Sequence, residues 1–271
     1  MRPYWVLLSA RYRMLLQYRA AAVAGAGTQF FWGFILIMVL EAFYRSSTKE
    51  PPLPFPAAVS YIWLGQALLA MLPWNHDREL EAMVREGTVA YELVRPVDLY
   101  GFWYARTLAM RLAPASLRAL PIVIFAGFVL PHTELARWSL LPPPSAAAAA
   151  AFAAALLAAL LLSAAITMLV HVSLLWTLSG QGMARVMPGL VILLSGMVIP
   201  LPLFPDWAQP VLTALPFRGL CDAPYRIYSG DIPVGEAAGA VALSLGWTIV
   251  LVLLGRGVLA RGFRRLVVQG G

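Results

Sequence analysis

Residues 146–177 read AAAAAAFAAALLAALLLSAAITMLVHVSLLWT, 32 positions without one Asp, Glu, Lys or Arg. As a helix this run is about 48 Å long, more than the roughly 30 Å hydrocarbon core of a bilayer. Water cannot solvate such a surface, so the run belongs inside a membrane, where it must tilt, bend or protrude. Its alanine-rich face lets neighbouring helices approach closely, which predicts a buried place in a helix bundle.

The same length rule finds other spans at residues 20–44, 57–74, 112–130, 183–198 and 234–259. The expected fold is an all-α integral membrane domain, 1–271, with six transmembrane helices. Charged residues make up 12% of the chain, about half the share of a soluble domain, which excludes the water-soluble class. Cys221 is the single cysteine, so no internal disulfide or cysteine metal cluster can form. No signal peptide is expected, because Arg11 and Arg13 interrupt the short first apolar run. Within residues 1–19, Trp5, Leu8, Tyr12 and Leu15 share one helical face, with Arg2, Ser9 and Arg13 roughly opposite. That pattern reads as an amphipathic helix on the cytosolic membrane surface, or as a plain basic lead-in to the first span. Residues 206–231 are neither spanning nor clearly soluble. Trp207, Val211, Leu212 and Leu215 form one apolar face, followed by aromatics mixed with Arg218, Asp222 and Arg226. Short re-entrant helices dipping into the outer leaflet fit them, since irregular backbone at that depth needs protein or water beside it.

The formal charge of +7 does not point to nucleic acid, because the arginines lie between and beside apolar runs. With both termini cytosolic, five of the 20 basic residues (Arg45, Lys49, Arg137, Arg218, Arg226) fall outside and the other 15 inside. The positive-inside rule therefore puts residues 75–111 in the cytosol. This segment carries six of the 13 acidic residues (Asp77, Glu79, Glu81, Glu86, Glu92, Asp98) and the basic Arg78, Arg85, Arg95, Arg106 and Arg111.

Within the spans the carboxylates are Glu41 and Glu236, each near an outer end. Ion-coupled carriers place such groups deep in the membrane, so ion coupling is disfavoured. No H-E-x-x-H, carboxylate pair or nucleophile with a nearby base is present. Candidate residues for a translocation path are Glu41, Gln66, Arg118 and His171. His171 either lines a cavity or makes a helix–helix hydrogen bond, and Arg118 either lines a pore or snorkels to the cytosolic interface. A phosphate-binding G-x-x-x-x-G-K-[ST] loop is absent, the one lysine being Lys49. Any ATP and magnesium therefore belong to a partner chain, and no cofactor is expected on this one.

Residues 77–86 predict a short helix. Leu80, Met83 and Val84 form an apolar strip, Asn75 or Asp77 can cap its start, and Gly87 can cap its end. A helix this short is marginal alone and needs something to dock on. An ordinary amphipathic helix on the lipid surface is the alternative, with Glu79, Glu81 and Glu86 making anionic lipid less welcoming. Arg95-Pro96 breaks the chain, and Asp98 can cap a second helix from Leu99, rich in aromatics suited to the membrane interface.

The runs REGTVAYELVRPVDLYGFWYAR (85–106) and WTLSGQG…PGLVILLSGMVIPLPLFPDW (176–207) resemble a bacterial branch of the ABC type-2 exporter permeases. The six-span layout, the surface helix at the front and the short outer helices before the last span are similar as well. The resemblance implies a permease subunit of an ATP-driven exporter in the bacterial cytoplasmic membrane. The front helix becomes an elbow helix, and residues 77–86 a coupling helix seated in a separate ATPase. The docking residues are then Asp77, Arg78, Glu79, Leu80, Glu81, Met83, Val84, Arg85 and Glu86. It also implies two ATPase copies beneath a pair of permeases, with a second related chain or a self-dimer in the lipid bilayer. The spans suggest an amphipathic or hydrophobic, drug- or lipid-like substrate. Importer permeases carry E-A-A-x-x-x-G followed by I-x-L-P. Here Glu81-Ala82-Met83 and Gly87 precede Val97-Asp98-Leu99-Tyr100, so the second alanine and final proline are missing. A membrane scaffold without a transport path is the reading from another class.

Overall fold

The computed structural model describes residues 2–48, 51–177 and 181–263, and every regular element among them is helical. Lys49, the first part of the turn expected at 179–182, and the tail residues Arg264 and Arg265 lie outside them. The helices are α1 (Arg2–Leu15), α2 (Arg19–Ser46), α3 (Phe55–Ala67), α4 (Arg78–Arg85), α5 (Ala90–Leu93) and α6 (Leu99–Ile124). They continue with α7 (Ala146–Thr177), α8 (Gln181–Leu194), α9 (Gln209–Ala214), α10 (Asp222–Ser229) and α11 (Val234–Phe263).

Four stretches are long and apolar enough to cross a membrane: Ala22–Ser46, Leu99–His132, Ala146–Thr177 and Val234–Gly262. The second and fifth expected spans form helices of 13 and 14 residues, α3 and α8, about 20 Å each and shorter than a bilayer core. α3 ends in a 3-10 turn, Leu69–Met71, two residues before Pro73, which has no N–H to extend the hydrogen-bond ladder. Every residue from Ala58 to Ala67 is buried, so α3 serves as a core rod.

α7 occupies the centre. In its most apolar window 67% of residues are buried, against 22% in each of the other three long helices. The main core joins Leu162, Ala165, Ile166 and Val170 of α7 to Trp63 of α3, Ile37 of α2 and Ile122 of α6. Trp63 is fully buried. Its Nε1 donates to the Trp138 carbonyl at 2.6 Å, and Phe34 meets its ring edge-on at 5.4 Å. In lipid, contacts of this kind hold helices together, because burying apolar surface from hydrocarbon gains little.

The expectation of a separate interface helix from Leu99 and a span from Leu112 is corrected. α6 runs unbroken from Leu99 and extends through a π turn, Phe125–Val129, to His132. Asp98 caps it as expected, accepting from the Gly101 N–H at 2.9 Å. Polar residues survive within it because Arg106 and Arg111 turn inward to partners described below. Pro114 and Pro121 lie inside α6, and each removes a ladder hydrogen bond and favours a bend.

At the opposite end of the bundle, α8 stops where Gly196 turns with φ +79°. Residues 195–231 then fold around Asp222, which is completely buried. Its carboxylate accepts from Arg218 and Arg226 at 3.3 Å each and from the Leu201 N–H at 3.3 Å.

Candidate functional site

α4 is built from local signals. The Asp77 carboxylate accepts from the Glu79 and Leu80 N–H groups at 3.0 and 3.3 Å, satisfying two orphan donors of the first turn. Gly87 follows the helix with φ +75°, a conformation that side chains with a Cβ resist. Leu80 and Val84 are buried in a cluster with Trp103 of α6, Met168 and Val172 of α7 and Leu259 of α11, with Met83 packed at its edge. The apolar strip therefore faces the protein itself.

Three neighbouring helices also grip α4, two through charge and one through a hydrogen bond. Arg106 of α6 donates from Nε to Asp77, and its Nη2 stands in an ion pair 2.9 Å from the Glu79 carboxylate. Arg11 of α1 holds both oxygens of Glu79 at 2.8 and 3.0 Å. His171 of α7 accepts from the Asp77 backbone N–H at 2.9 Å, and its Nδ1 lies 3.3 Å from the Thr107 hydroxyl. Burial pushes the Asp77 carboxyl up, but the hydrogen bond and charge of Arg106 outweigh it and leave it below the usual carboxylate range. The Arg11 hydrogen bond likewise holds Glu79 low. Glu81 pairs with His76 at 2.6 Å.

Arg78, Arg85 and Glu86 remain exposed on the far side of α4. Further along the chain, on α5 and at its C-terminal end, Tyr91 is 74% and Val94 80% exposed. The turn that carries these two is fixed by Trp103, whose Nε1 donates to buried Glu92 at 2.6 Å. Sequence reasoning did not single out Tyr91 or Val94. A tyrosine and a valine within a highly charged run were the available signal.

Two residues before Asp77 the chain enters a cavity of about 750 Å³. α2 contributes Gly25, Gln29 and Trp32, α3 contributes Gln66, and α6 contributes Met110, Pro114 and Arg118. Asn75 and Arg111 close the end nearest α4. Arg111 is 2% exposed. Its guanidinium donates to the Asn75 amide oxygen at 2.6 Å and to the Thr167 hydroxyl of α7 at 2.8 Å. Thus one residue, Asn75, is both cavity wall and the lead-in to α4.

Of the four residues singled out for a translocation path, the structure brings Gln66 and Arg118 together in this cavity. His171 lies buried under α4, in the helix–helix hydrogen bonds just described. Glu41 lies elsewhere, bound by Arg45 at 2.6 Å, Trp138 Nε1 at 2.7 Å and Arg137 at 3.3 Å. Gln29, a cavity residue, was not anticipated, since one amide within an apolar run gives no clear signal.

A family profile described as an ABC-2 family transporter protein matches residues 55–270. The chain belongs to that family. Neither the curated proteins nor the solved structures contain a match. As an ABC-2 permease, this chain is an integral membrane subunit of an ABC transporter. It is not itself catalytic, and its family works with an ABC ATPase. The matched region begins at α3, so α1 and α2, which grip α4 and line the cavity, precede it.

Proposed function

We propose that this ABC-2 permease exports an amphipathic or hydrophobic, drug- or lipid-like substrate across a bacterial cytoplasmic membrane, with ATP and magnesium on two copies of a separate ATPase. Both termini are cytosolic, α1 is the elbow helix, and residues 206–231 re-enter from the outer side. α3 and α8 complete a six-segment layout with the four long helices, and a second permease or second copy of this chain completes the transporter.

The observation that carries this reading is the two-sided construction of α4. Its inner side is tied by Leu80, Val84, Asp77 and Glu79 to α1, α6 and α7. Its outer side presents Arg78, Arg85 and Glu86, exposed among the described residues. An ATPase seated on that outer side pushes on a helix that cannot move alone. The push reaches the cavity through Asn75 and its hydrogen bond to Arg111. Docking therefore falls to Arg78, Arg85 and Glu86, with Tyr91 and Val94 extending the surface. Leu80, Met83 and Val84 act as the anchor beneath.

The test is a pull-down of the cognate ATPase in detergent with Arg85→Ala and Glu86→Ala combined, alongside transport in reconstituted vesicles. Both are expected to fall at least tenfold while the permease stays folded. Undiminished association and transport would overturn the docking assignment. ATPase activity that no substrate stimulates after reconstitution would favour a scaffold instead.

A further inference from the structure

The cavity wall joins two features that its apolar surroundings do not satisfy. Gln29 is 3% exposed, yet neither its amide oxygen nor its amide nitrogen has a hydrogen-bond partner. The Arg118 guanidinium, half-buried, has an unpaired Nε and forms no ion pair among the described residues. The two are neighbours. A Cβ placed on Gly25 would stand 2.7 Å from the Arg118 guanidinium carbon, and Gln29 follows Gly25 by four positions, one turn along the same face of α2. Among the described residues no carboxylate lines the cavity, and Trp32, Leu36 and Met110 supply apolar wall.

A buried amide without partners and a cation without a counter-ion are both costly in a low-dielectric site. Water can serve the amide, because the cavity is roomy enough to hold it. Water cannot neutralise the guanidinium. The second arginine of the wall, Arg111, also has an unpaired Nε and no carboxylate partner among the described residues, but both of its Nη atoms are held by Asn75 and Thr167, which leaves the Nη atoms of Arg118 as those open to an incoming anion. A volume of about 750 Å³ is in the range of sites that enclose a drug-sized molecule.

Resting on the transport reading above, we infer that the cavity is a binding site for an amphiphile with an anionic head. The head, a sulfate, phosphate or carboxylate, pairs with Arg118 and accepts from the Gln29 amide, and the hydrophobic body lies against Trp32, Leu36 and Met110. Gly25 is part of the site, since any side chain there would displace the guanidinium. The head group belongs either to a free amphiphile or to a resident bilayer lipid, and both offer the same chemistry.

The experiment uses the full chain in phosphatidylcholine nanodiscs, without the ATPase, and reads quenching of its tryptophans, Trp32 and Trp74 being cavity residues. The probes are a bromine-labelled stearyl sulfate and the uncharged stearyl alcohol carrying the same bromines. The sulfate is expected to bind about tenfold more tightly than the alcohol, as a charge-assisted contact with Arg118 requires. Arg118→Gln should reduce that ratio to near one, and Arg118→Lys should retain most of it. Gly25→Leu should abolish saturable quenching by either probe. Equal affinities for sulfate and alcohol in the unaltered chain, or a ratio unchanged by Arg118→Gln, would overturn the inference. Because each ratio is internal to one preparation, a loss of yield does not mimic it. Adding phosphatidylglycerol to the nanodiscs separates the two sources. Arg118-dependent competition identifies a bilayer lipid, and its absence identifies a free amphiphile. No step needs ATP or transport, so failure here leaves the exporter reading standing, and failed export leaves this site standing.

Discussion

At α4, Asp77 meets Arg106 across 29 residues and Glu79 meets Arg11 across 68. Around Asp222 the partners Arg218 and Arg226 stand four positions away on either side. Both clusters set carboxylates against arginines, but they do different work. The Asp222 cluster is assembled within one short segment and closes it on itself, with the Tyr61 hydroxyl donating to the Gly196 carbonyl at 2.9 Å as its link to α3. The α4 cluster is assembled from α1, α4, α6 and α7, so none of these can shift without straining the others. Local pairing makes a staple, and long-range pairing makes a joint.

The comparison can be broken first at the staple. Asp222→Ala leaves Arg218 and Arg226 without their shared partner in a buried setting, a change that costs about 3–5 kcal/mol. A large fall in thermal unfolding temperature in detergent is expected. An unchanged melting curve would show that the outer segment does not depend on this carboxylate.

Asp77→Ala strikes the joint. It removes the helix cap and the hydrogen-bonded one of the two carboxylates facing buried Arg106, together worth about 2–4 kcal/mol. Its signature is local as well as global: tryptic cleavage at exposed Arg78 and Arg85 should accelerate several-fold. If cleavage stays as slow as in the unaltered chain, Asp77 does not hold α4 down.

Gly196→Ala separates the two regions. The glycine sits at φ +79°, and a Cβ there would stand 2.5 Å from the Tyr61 hydroxyl. The left-handed conformation alone costs about 1–2 kcal/mol. Cys221 is fully buried, so maleimide labelling of it reports opening of the outer cluster. Labelling should rise while cleavage at α4 stays unchanged; a matching rise in cleavage would mean the two regions are mechanically coupled.

Acid should loosen the joint by less. The Asp77 and Glu79 carboxyls are held below their ordinary values in the folded chain. Their stabilisation is present above the unfolded value of about 4 and fades as pH falls through the lower folded values. Hydrogen exchange of α4 amides, corrected for intrinsic rate, should show less protection at about pH 3 than at about pH 6. Protection that does not change would argue that Leu80 and Val84 alone seat the helix. The smallest stability effect belongs to Arg85→Ala with Glu86→Ala, within about 0.5 kcal/mol, so their effect on ATPase association can be read without correction for folding.

Much of this was legible along the chain. The 32-residue apolar run gave α7 with its bounds, 146–177, because a helix of hydrocarbon side chains has few alternatives. The caps at Asp77, Gly87 and Asp98 were readable because each acts on backbone groups two to four residues away. α6 was misjudged for the same reason in reverse. Arg106 and Arg111 look like surface charges until Asp77, Asn75 and Thr167 are brought to them from other segments. The strip of Leu80, Met83 and Val84 announced a docked helix, but periodicity cannot name the surface it docks on, here the chain's own α6, α7 and α11. His171 and Arg118 were both visible as polar residues in apolar runs. Packing alone sent one beneath α4 and the other into a cavity beside Gln29. The sequence by itself determined what must be helical, what must meet lipid and where short helices begin and end, since those follow from hydration and from neighbours along the backbone. Which charge meets which, and which polar group is left waiting for a ligand, depends on contacts between segments distant in sequence, and only the tertiary structure decides those.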